Sequence, residues 1–241
     1  MLNKIPAHIL ARLAAGLIIL YPLAILGARF DIMHFRNSFL IFILAALLGF
    51  IVLVLSVLKL PKQAQGEAKP LVLAVVLTLT PLMLLGTNIV KARSVPFLYD
   101  VTTDTEYPPA LVKAKALRAE GEHSVEYDVK KFAQLQKEGY PDIKPVRLSI
   151  SAMEAFYKVR KAVQGMGWEV VAVNGQALPF TIEAVASSAL FGFKDDIAIR
   201  VSQTIEGSQV DMRSMSREGR TDLGANAQRI QDFFSALNAT K

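Results

Sequence analysis

Three arginine residues lie close together where a predicted sheet meets the last predicted helix. They are Arg213, Arg217 and Arg220, and Asp222 follows them at the start of an amphipathic segment. The N-terminus of a helix carries free backbone N–H groups, and guanidinium groups beside it suit a carboxylate or a phosphate. The sequence therefore predicts a candidate anion or partner site at Arg213, Arg217, Arg220 and Asp222. A second interpretation, favoured by the frequency of arginine–carboxylate networks in proteins, is that nearby aspartates satisfy these arginines within the fold.

Two adjacent carboxylates, Asp195 and Asp196, open a predicted strand. Such a pair can share a metal ion or serve as a general acid and base, but neighbouring residues in a strand point to opposite faces of the sheet. We therefore predict no metal site here. We expect Asp195 and Asp196 to form structural ion pairs with arginines of the sheet, Arg200 among them.

His123 is the only histidine outside the first 90 residues, and the chain has no cysteine. A serine triad would have to be built on His123, yet no Gly-x-Ser-x-Gly elbow accompanies it. The absence of cysteine excludes disulfides and thiolate chemistry. We predict no catalytic residue and no cofactor, and we expect a protein that is not an enzyme.

Four predicted strands and two predicted helices position these groups. Apolar alternation bounded by turn residues predicts the strands Trp168–Val173, Phe180–Ser188, Asp196–Gln203 and Ser208–Arg217. Their short connections imply an antiparallel meander. Strand alternation predicts that one face of this meander is apolar and packs against the core, with Phe180, Ile182, Ile197, Ile199, Val201, Val210 and Met212 on it. A capping box from Ser151 to Glu154 opens one helix, and an apolar stripe from Leu223 to Leu237 predicts the other. Two helices packed on a four-stranded meander give a two-layer α+β domain.

The turn into the last helix is predicted to hold the fold together. We expect Gly219 to adopt a positive φ, and Asp222 to cap the helix while accepting a hydrogen bond from Arg213 or Arg217. The proline-containing segments 94–109 and 140–148 are expected to be extended, and to supply edges on which a partner could dock.

The first 90 residues contain the apolar excess of a chain that is 52% hydrophobic. The stretches Leu13–Ala28, Asn37–Leu58 and Pro70–Val90 contain no Asp, Glu, Lys or Arg. A helix rises about 1.5 Å per residue and the hydrocarbon layer is about 30 Å thick, so we predict three membrane spans. The sequence thus divides into a three-helix transmembrane anchor, residues 1–93, and an extramembrane domain, residues 94–241.

The net charge of +6 belongs mainly to the membrane flanks. Residues 1–90 contain seven Lys or Arg against two acidic residues, whereas the remaining 20 basic and 19 acidic residues nearly cancel. The cations therefore suit anionic lipid head groups, and we expect no nucleic-acid partner. Five cations lie on the amino-terminal flank and second loop, against four on the first loop and exit, which favours a cytoplasmic N-terminus. Three crossings then place the C-terminal domain outside the cytoplasm.

Four sequence blocks resemble a known family of bacterial and plastid proteins. They are residues 101–109 (VTTDTEYPP), 140–145 (YPDIKP), 191–196 (FGFKDD) and 210–227 (VDMRSMSREGRTDLGANA). In this order they are similar to DUF1499, a family defined only as a domain of unknown function, over roughly residues 95–238. The resemblance implies an envelope protein. Together with the three spans and the cation count, this predicts a protein of the bacterial inner membrane with a periplasmic C-terminal domain. The resemblance implies no activity, and the anchor lies outside it.

Two functions of different classes fit these features. The first is a non-enzymatic accessory or scaffold subunit that docks its C-terminal domain against a protein partner in a larger membrane assembly. The alternative is a carrier for a lipid or another amphipathic ligand, bound in a cavity between Phe180, Ile199 and Phe234.

A reporter fused after Lys241 tests the predicted topology. Because three crossings separate the two termini, alkaline phosphatase at this position should be active, and a reporter that fluoresces only in the cytoplasm should stay dark. Fluorescence from the second fusion would reverse the orientation.

Overall fold

The computed structural model of the protein describes residues 5–62 and 64–240. Lys4, which contributes to the cation count, and Lys241, the predicted fusion point, lie outside the described residues. The chain forms two compact units. The first comprises the residues up to Val90 together with the short segment Ala189–Gly192, and the second comprises the rest.

Three long helices account for the apolar N-terminal part of the chain. They are α1 (Ala7–Arg29), α2 (Phe35–Lys59) and α3 (Ala68–Ser94), and a short 3-10 turn, Leu60–Lys62, follows α2. Each helix contains one of the apolar stretches predicted from the sequence. All three are long and apolar enough to cross a membrane. The prediction of three candidate membrane helices is confirmed.

Lys59, at the end of α2, is tied to other groups of the helical unit. Its Nζ lies 2.6 Å from the carbonyl oxygen of Ile5 and 3.1 Å from Oε1 of Glu67, and the side chain is only 4% exposed. Glu67 also accepts a hydrogen bond from the backbone N–H of Ala7. Lys59 is therefore an internal link between the start of α1 and the α2–α3 connection, although the topology prediction counts it as a flanking cation.

The C-terminal unit is built on a six-stranded antiparallel sheet. Its strands are β1 (Asp100–Thr102), β2 (Val146–Leu148), β3 (Glu169–Asn174), β4 (Phe180–Ser187), β5 (Lys194–Thr204) and β6 (Gly207–Ser216). The spatial order is β1-β6-β5-β4-β3, and β2 also pairs with β6. The predicted meander is present as β3 to β6, but the prediction of four strands is wrong.

The two additional strands come from the segments predicted to be extended. β1 pairs with Arg213–Met215 and β2 pairs with Ser208–Val210, so together they occupy one side of β6. Both strands have only three residues, which is too short to show an apolar alternation in the sequence. These segments therefore form the edge of the sheet beside β6, and each strand uses one of its two sides to pair with β6.

Four helices complete the C-terminal unit. They are α4 (Val112–Leu117), α5 (Val129–Gly139), α6 (Ala152–Gly165) and α7 (Ala225–Ala239). The predicted capping box opens α6: Ser151 Oγ accepts from the N–H of Glu154 at 3.3 Å, and Glu154 Oε2 accepts from the N–H of Ser151 at 3.0 Å. This exchange satisfies two backbone donors at the start of the helix.

Helices α6 and α7 cover one face of the sheet. Val159 of α6 and Ile230 of α7 are fully buried against it. The strand residues predicted to face this core all belong to the same cluster: Phe180, Ile182, Ile197, Ile199, Val201, Val210 and Met212. Strand alternation therefore predicted the core face of the sheet correctly.

The opposite face of the sheet is covered as well. Leu111, Ala114 and Val125 from the chain around α4 pack with Ala198 and Met215 of the sheet. The domain thus has a third layer that the two-layer prediction lacks. This segment is largely irregular, so its apolar residues follow no long helix or strand period that would show from the sequence that it packs against the sheet.

Candidate functional site

Arg213, the first residue of the predicted anion site, is buried and paired. Its Nε lies 2.9 Å from Oδ1 of Asp100 and its Nη2 lies 2.7 Å from Oδ2, while Nη2 also donates to the carbonyl of Val125. The side chains are 3% and 0% exposed. This two-pronged pair joins β6 to β1. An external anion would have to displace Asp100 to reach Arg213.

Arg217 shares a carboxylate with a second arginine. Its Nη2 lies 2.8 Å from Oδ1 of Asp196, and Nη2 of Arg118 lies 2.7 Å from Oδ2 of the same group. Asp196 is fully buried and both guanidinium groups are nearly so. Sequence reasoning missed Arg118, because it stands 78 residues before Asp196 at the end of α4. We call Asp100, Arg118, Asp196, Arg213 and Arg217 the charged layer.

The two adjacent aspartates point to opposite faces of the sheet, as strand alternation requires. Asp196 lies in the charged layer, whereas Asp195 accepts a hydrogen bond from Nη2 of Arg229 on α7. Nη1 of Arg229 also donates to Oγ of Ser214 at 2.8 Å. The expected pairing of these aspartates with Arg200 is wrong: Nη2 of Arg200 lies 3.0 Å from Oδ2 of Asp104 and 3.1 Å from Oδ2 of Asp211.

Asp222 binds the first turn of α7 without an arginine. Its Oδ1 accepts from the N–H of Gly224 and its Oδ2 accepts from the N–H of Asn226, both at 2.8 Å. Gly219 has the expected positive φ of 90°, and Leu223 and Gly224 are also left-handed before the helix begins at Ala225. Asp222 therefore caps α7 from just outside it.

The predicted site residues are not brought together into one site. Arg213 and Arg217 pair with Asp100 and Asp196, while the predicted contact of Asp222 with an arginine is replaced by backbone N–H groups. Arg220 is exposed, with its guanidinium carbon 5.7 Å from the ring centre of Phe97. Of the four residues, Arg220 is the one that faces solvent.

His123 packs beside the charged layer. Its ring stacks on Tyr99 with 3.9 Å between the ring centres, and its Nδ1 lies 3.1 Å from the carbonyl oxygen of Ser216. The backbone carbonyl of His123 accepts from Arg118. These contacts hold the loop before α5 against the sheet. Within residues 5–62 and 64–240, no group of three or more His, Cys, Asp or Glu is placed to hold a metal ion.

Burial causes most of the pKa shifts in this region. It raises the pKa of Asp100, although the Arg213 guanidinium opposes the change. It also raises the pKa of Asp222, against the hydrogen bonds from Asn226 and Gly224. Burial together with the nearby Asp222 charge raises the pKa of Tyr140 to about 12. For all three groups, removal from water is the largest cause of the change in pKa.

A cleft of about 490 Å³ lies between α6 and the β3–β4 hairpin, away from the charged layer. Met153, Tyr157 and Arg160 of α6 line one wall. Val173, at the end of β3, and the hairpin residue Gln176 line the other. The sequence predicted β3 as an ordinary strand and did not predict the cleft, since alternation cannot tell which strand lies at the edge of a sheet.

The buried Asp100–Arg213 pair provides a test of the charged layer. Arg213→Met should leave the Asp100 carboxylate buried without a partner and destabilise the domain by about 3–5 kcal/mol. Combining it with Asp100→Leu should recover at least half of that loss, because no unpaired charge remains. Chemical unfolding of the full chain in detergent measures both. A double variant as unstable as Arg213→Met alone would contradict the role assigned to the pair.

A second prediction separates the helix cap from the exposed arginine. Asp222→Ala removes both acceptors and should cost about 0.5–2 kcal/mol, seen as a melting temperature several degrees lower. Asp222→Asn, which keeps one acceptor oxygen, should fall in between. Arg220→Ala should change stability by less than about 1 kcal/mol, the value of an exposed cation–π contact. Equal melting of the Arg220 and Asp222 alanine variants would show that Arg220 also holds the fold.

Comparison with known proteins places the C-terminal unit in a family. A search of curated proteins found no match for this chain. The family model described as protein of unknown function (DUF1499) matches residues 100–237, which is more than half of the sequence. The match covers all six strands and the charged layer, and it excludes the three apolar helices. The chain therefore belongs to the DUF1499 family.

Proposed function

We propose that the protein is a non-enzymatic accessory or scaffold subunit of a larger membrane assembly in the bacterial envelope. In this proposal the three helices span the inner membrane and the C-terminal domain docks against a protein partner in the periplasm. The observation that carries the proposal is the exposed apolar edge of the sheet at β3. Val170 and Val173 on this strand are 45% and 50% exposed.

An edge strand presents backbone N–H and C=O groups that can pair with another chain, and soluble proteins usually protect such edges. β1 and β2, of three residues each, form one edge of the sheet beside β6, and β3, which pairs only with β4 in the described part of the chain, forms the other. β3 is six residues long and four of these residues are apolar. An exposed strand of this kind is suited to bind another protein.

A bulge in β3 places Val170 and Val173 on one face. The register changes between Val170 and Ala172, so Val170 lies opposite Ala184 and Val173 lies opposite Ile182. Directly opposed residues share a face, and Ala184 and Ile182 belong to the core that α6 and α7 cover. Val170 and Val173 therefore extend the apolar core face to the edge, where both remain about half exposed.

The charged layer supports a scaffold role. Its arginines and aspartates are buried and bonded to one another, so they fix the sheet against the segment before it. A rigid sheet presents a preformed surface, which lowers the entropy cost of binding.

The carrier hypothesis has less support from the fold. Phe180 and Ile199 are buried, and Phe234 packs against the same cluster. A ligand between these three residues would require the core to open. Carriage of a lipid stays a prediction, and no feature described above favours it over docking.

Co-isolation tests the docking proposal. The full chain, purified in mild detergent from its own membranes, should carry a protein in fixed ratio. Val173→Asp should reduce the recovered partner at least tenfold, because it places a charge on the apolar edge. Ile205→Asp is the matched control, since Ile205 is fully exposed at the β5–β6 turn, and it should leave recovery unchanged.

Two outcomes would contradict this proposal. One is recovery of lipid in fixed ratio with no protein, which would favour the carrier. The other is a stoichiometric partner whose recovery is equal in wild type and Val173→Asp, which would place the docking surface elsewhere on the chain.

A further inference from the structure

We infer that the cleft between α6 and β3 binds an extended segment of the partner protein, and that this segment carries a carboxylate next to apolar residues. The inference rests on the proposed function, because it names the chemistry of the partner that docks at β3. Two properties of the cleft lead to it: one wall is an edge strand, and the one charged residue among those that line it is Arg160.

The edge strand selects an extended ligand. A peptide that adds to β3 would form main-chain hydrogen bonds along it, and alternate side chains would then point into the cleft. Beside the polar groups of Asn174 and Gln176, the walls offer apolar surface for apolar side chains on that face of the peptide. Tyr157 is 61% exposed on α6, Met153 is 43% exposed one turn before it, and Val173 faces them from the strand.

Arg160 selects the charge of the ligand. It lies three residues after Tyr157 on the same helix, which places both side chains on one face of α6. Arg160 is exposed and takes part in none of the ion pairs formed by the described residues. The other side chains that line the cleft are neutral. A guanidinium group in this setting complements a carboxylate, which it can bind through two parallel hydrogen bonds.

The cleft is preformed by a close contact at its floor. A Cβ added to Gly175 would lie 2.7 Å from the ring of Phe156, so the hairpin lies directly on this buried side chain. Within the hairpin, the Asn174 side chain donates to the carbonyls of Ala177 and Pro179 at 3.2 and 3.4 Å. The two walls are therefore held apart at a fixed distance before any ligand arrives, which favours affinity.

Selection from a random peptide library tests the inference. The probe is a phage library of linear octapeptides, and the target is the full chain in detergent. The selected peptides should contain Asp or Glu at one position with apolar, β-branched residues nearby. Selection on Arg160→Glu should replace this acidic preference with Lys or Arg. A merely structural role of Arg160 would not produce such a reversal.

Matched controls test whether the acidic preference depends on Arg160 and whether binding depends on pairing with β3. Lys161→Glu changes the neighbouring exposed cation on α6, which does not line the cleft, and should keep the acidic preference. A selected peptide should bind Arg160→Glu at least tenfold more weakly than wild type. It should also bind at least tenfold more weakly when its backbone nitrogens are methylated, because strand pairing is then blocked. Melting temperatures of both variants should equal that of wild type.

Other outcomes overturn the inference in distinct ways. No enrichment, or enrichment of basic sequences on the wild type, would exclude an acidic segment. Binding to vesicles of anionic lipid that is lost in Arg160→Glu would assign the cleft to the membrane surface. If Val173→Asp abolishes co-isolation but the Arg160 variant selects the same peptides as wild type, the proposed function stands and this inference fails. If Val173→Asp has no effect either, both fail.

Discussion

The C-terminal domain depends on a set of buried arginines, each of which is paired with a buried aspartate. Arg213 meets Asp100 through two hydrogen bonds, and Asp196 receives both Arg118 and Arg217. Removing a charge from water costs several kcal/mol, so each buried group requires its partner in good geometry. The pairs join β5 and β6 to the chain around β1 and α4. That part of the chain is therefore a fixed layer of the domain, in spite of its irregular backbone.

The same pairs help to explain how such short strands find their register. β1 has three residues, and its pairing places Asp100 opposite Met215 on β6. A shift by one residue would turn every side chain of β1 to the other face of the sheet, and Asp100 would then meet the apolar core instead of Arg213. A buried ion pair is weak evidence for stability, and the best-attested use of buried polar groups is to set the register of the elements that they join. We interpret the charged layer as a device that selects the register of β1.

This arrangement separates the part of the domain that holds the fold from the part that can contact other molecules. The charged groups at the centre of the sheet are bonded to one another, and Asp222 is bonded to the first turn of α7. The features exposed at the far side of the sheet are Val170 and Val173 of β3 and the cleft beside α6, whose lining mixes apolar with polar side chains and has Arg160 as its charged residue. Exposed groups of this kind support the proposed docking of another chain.

The sequence by itself determined what depends on neighbouring residues. Apolar runs predicted the three long helices, alternation predicted β3 to β6 and their core face, and the pattern from Ser151 to Glu154 predicted the start of α6. Alternation also predicted that Asp195 and Asp196 point apart. Only the tertiary structure decided the rest: the strands β1 and β2, the third layer, the pairing of Arg118 with Asp196, and the exposed position of β3. Three-residue strands carry no readable period, and an ion pair between residues 78 positions apart leaves no local pattern. Which arginine meets which aspartate is therefore settled by the packing of the whole domain, because each buried charge takes the partner that the fold brings within reach.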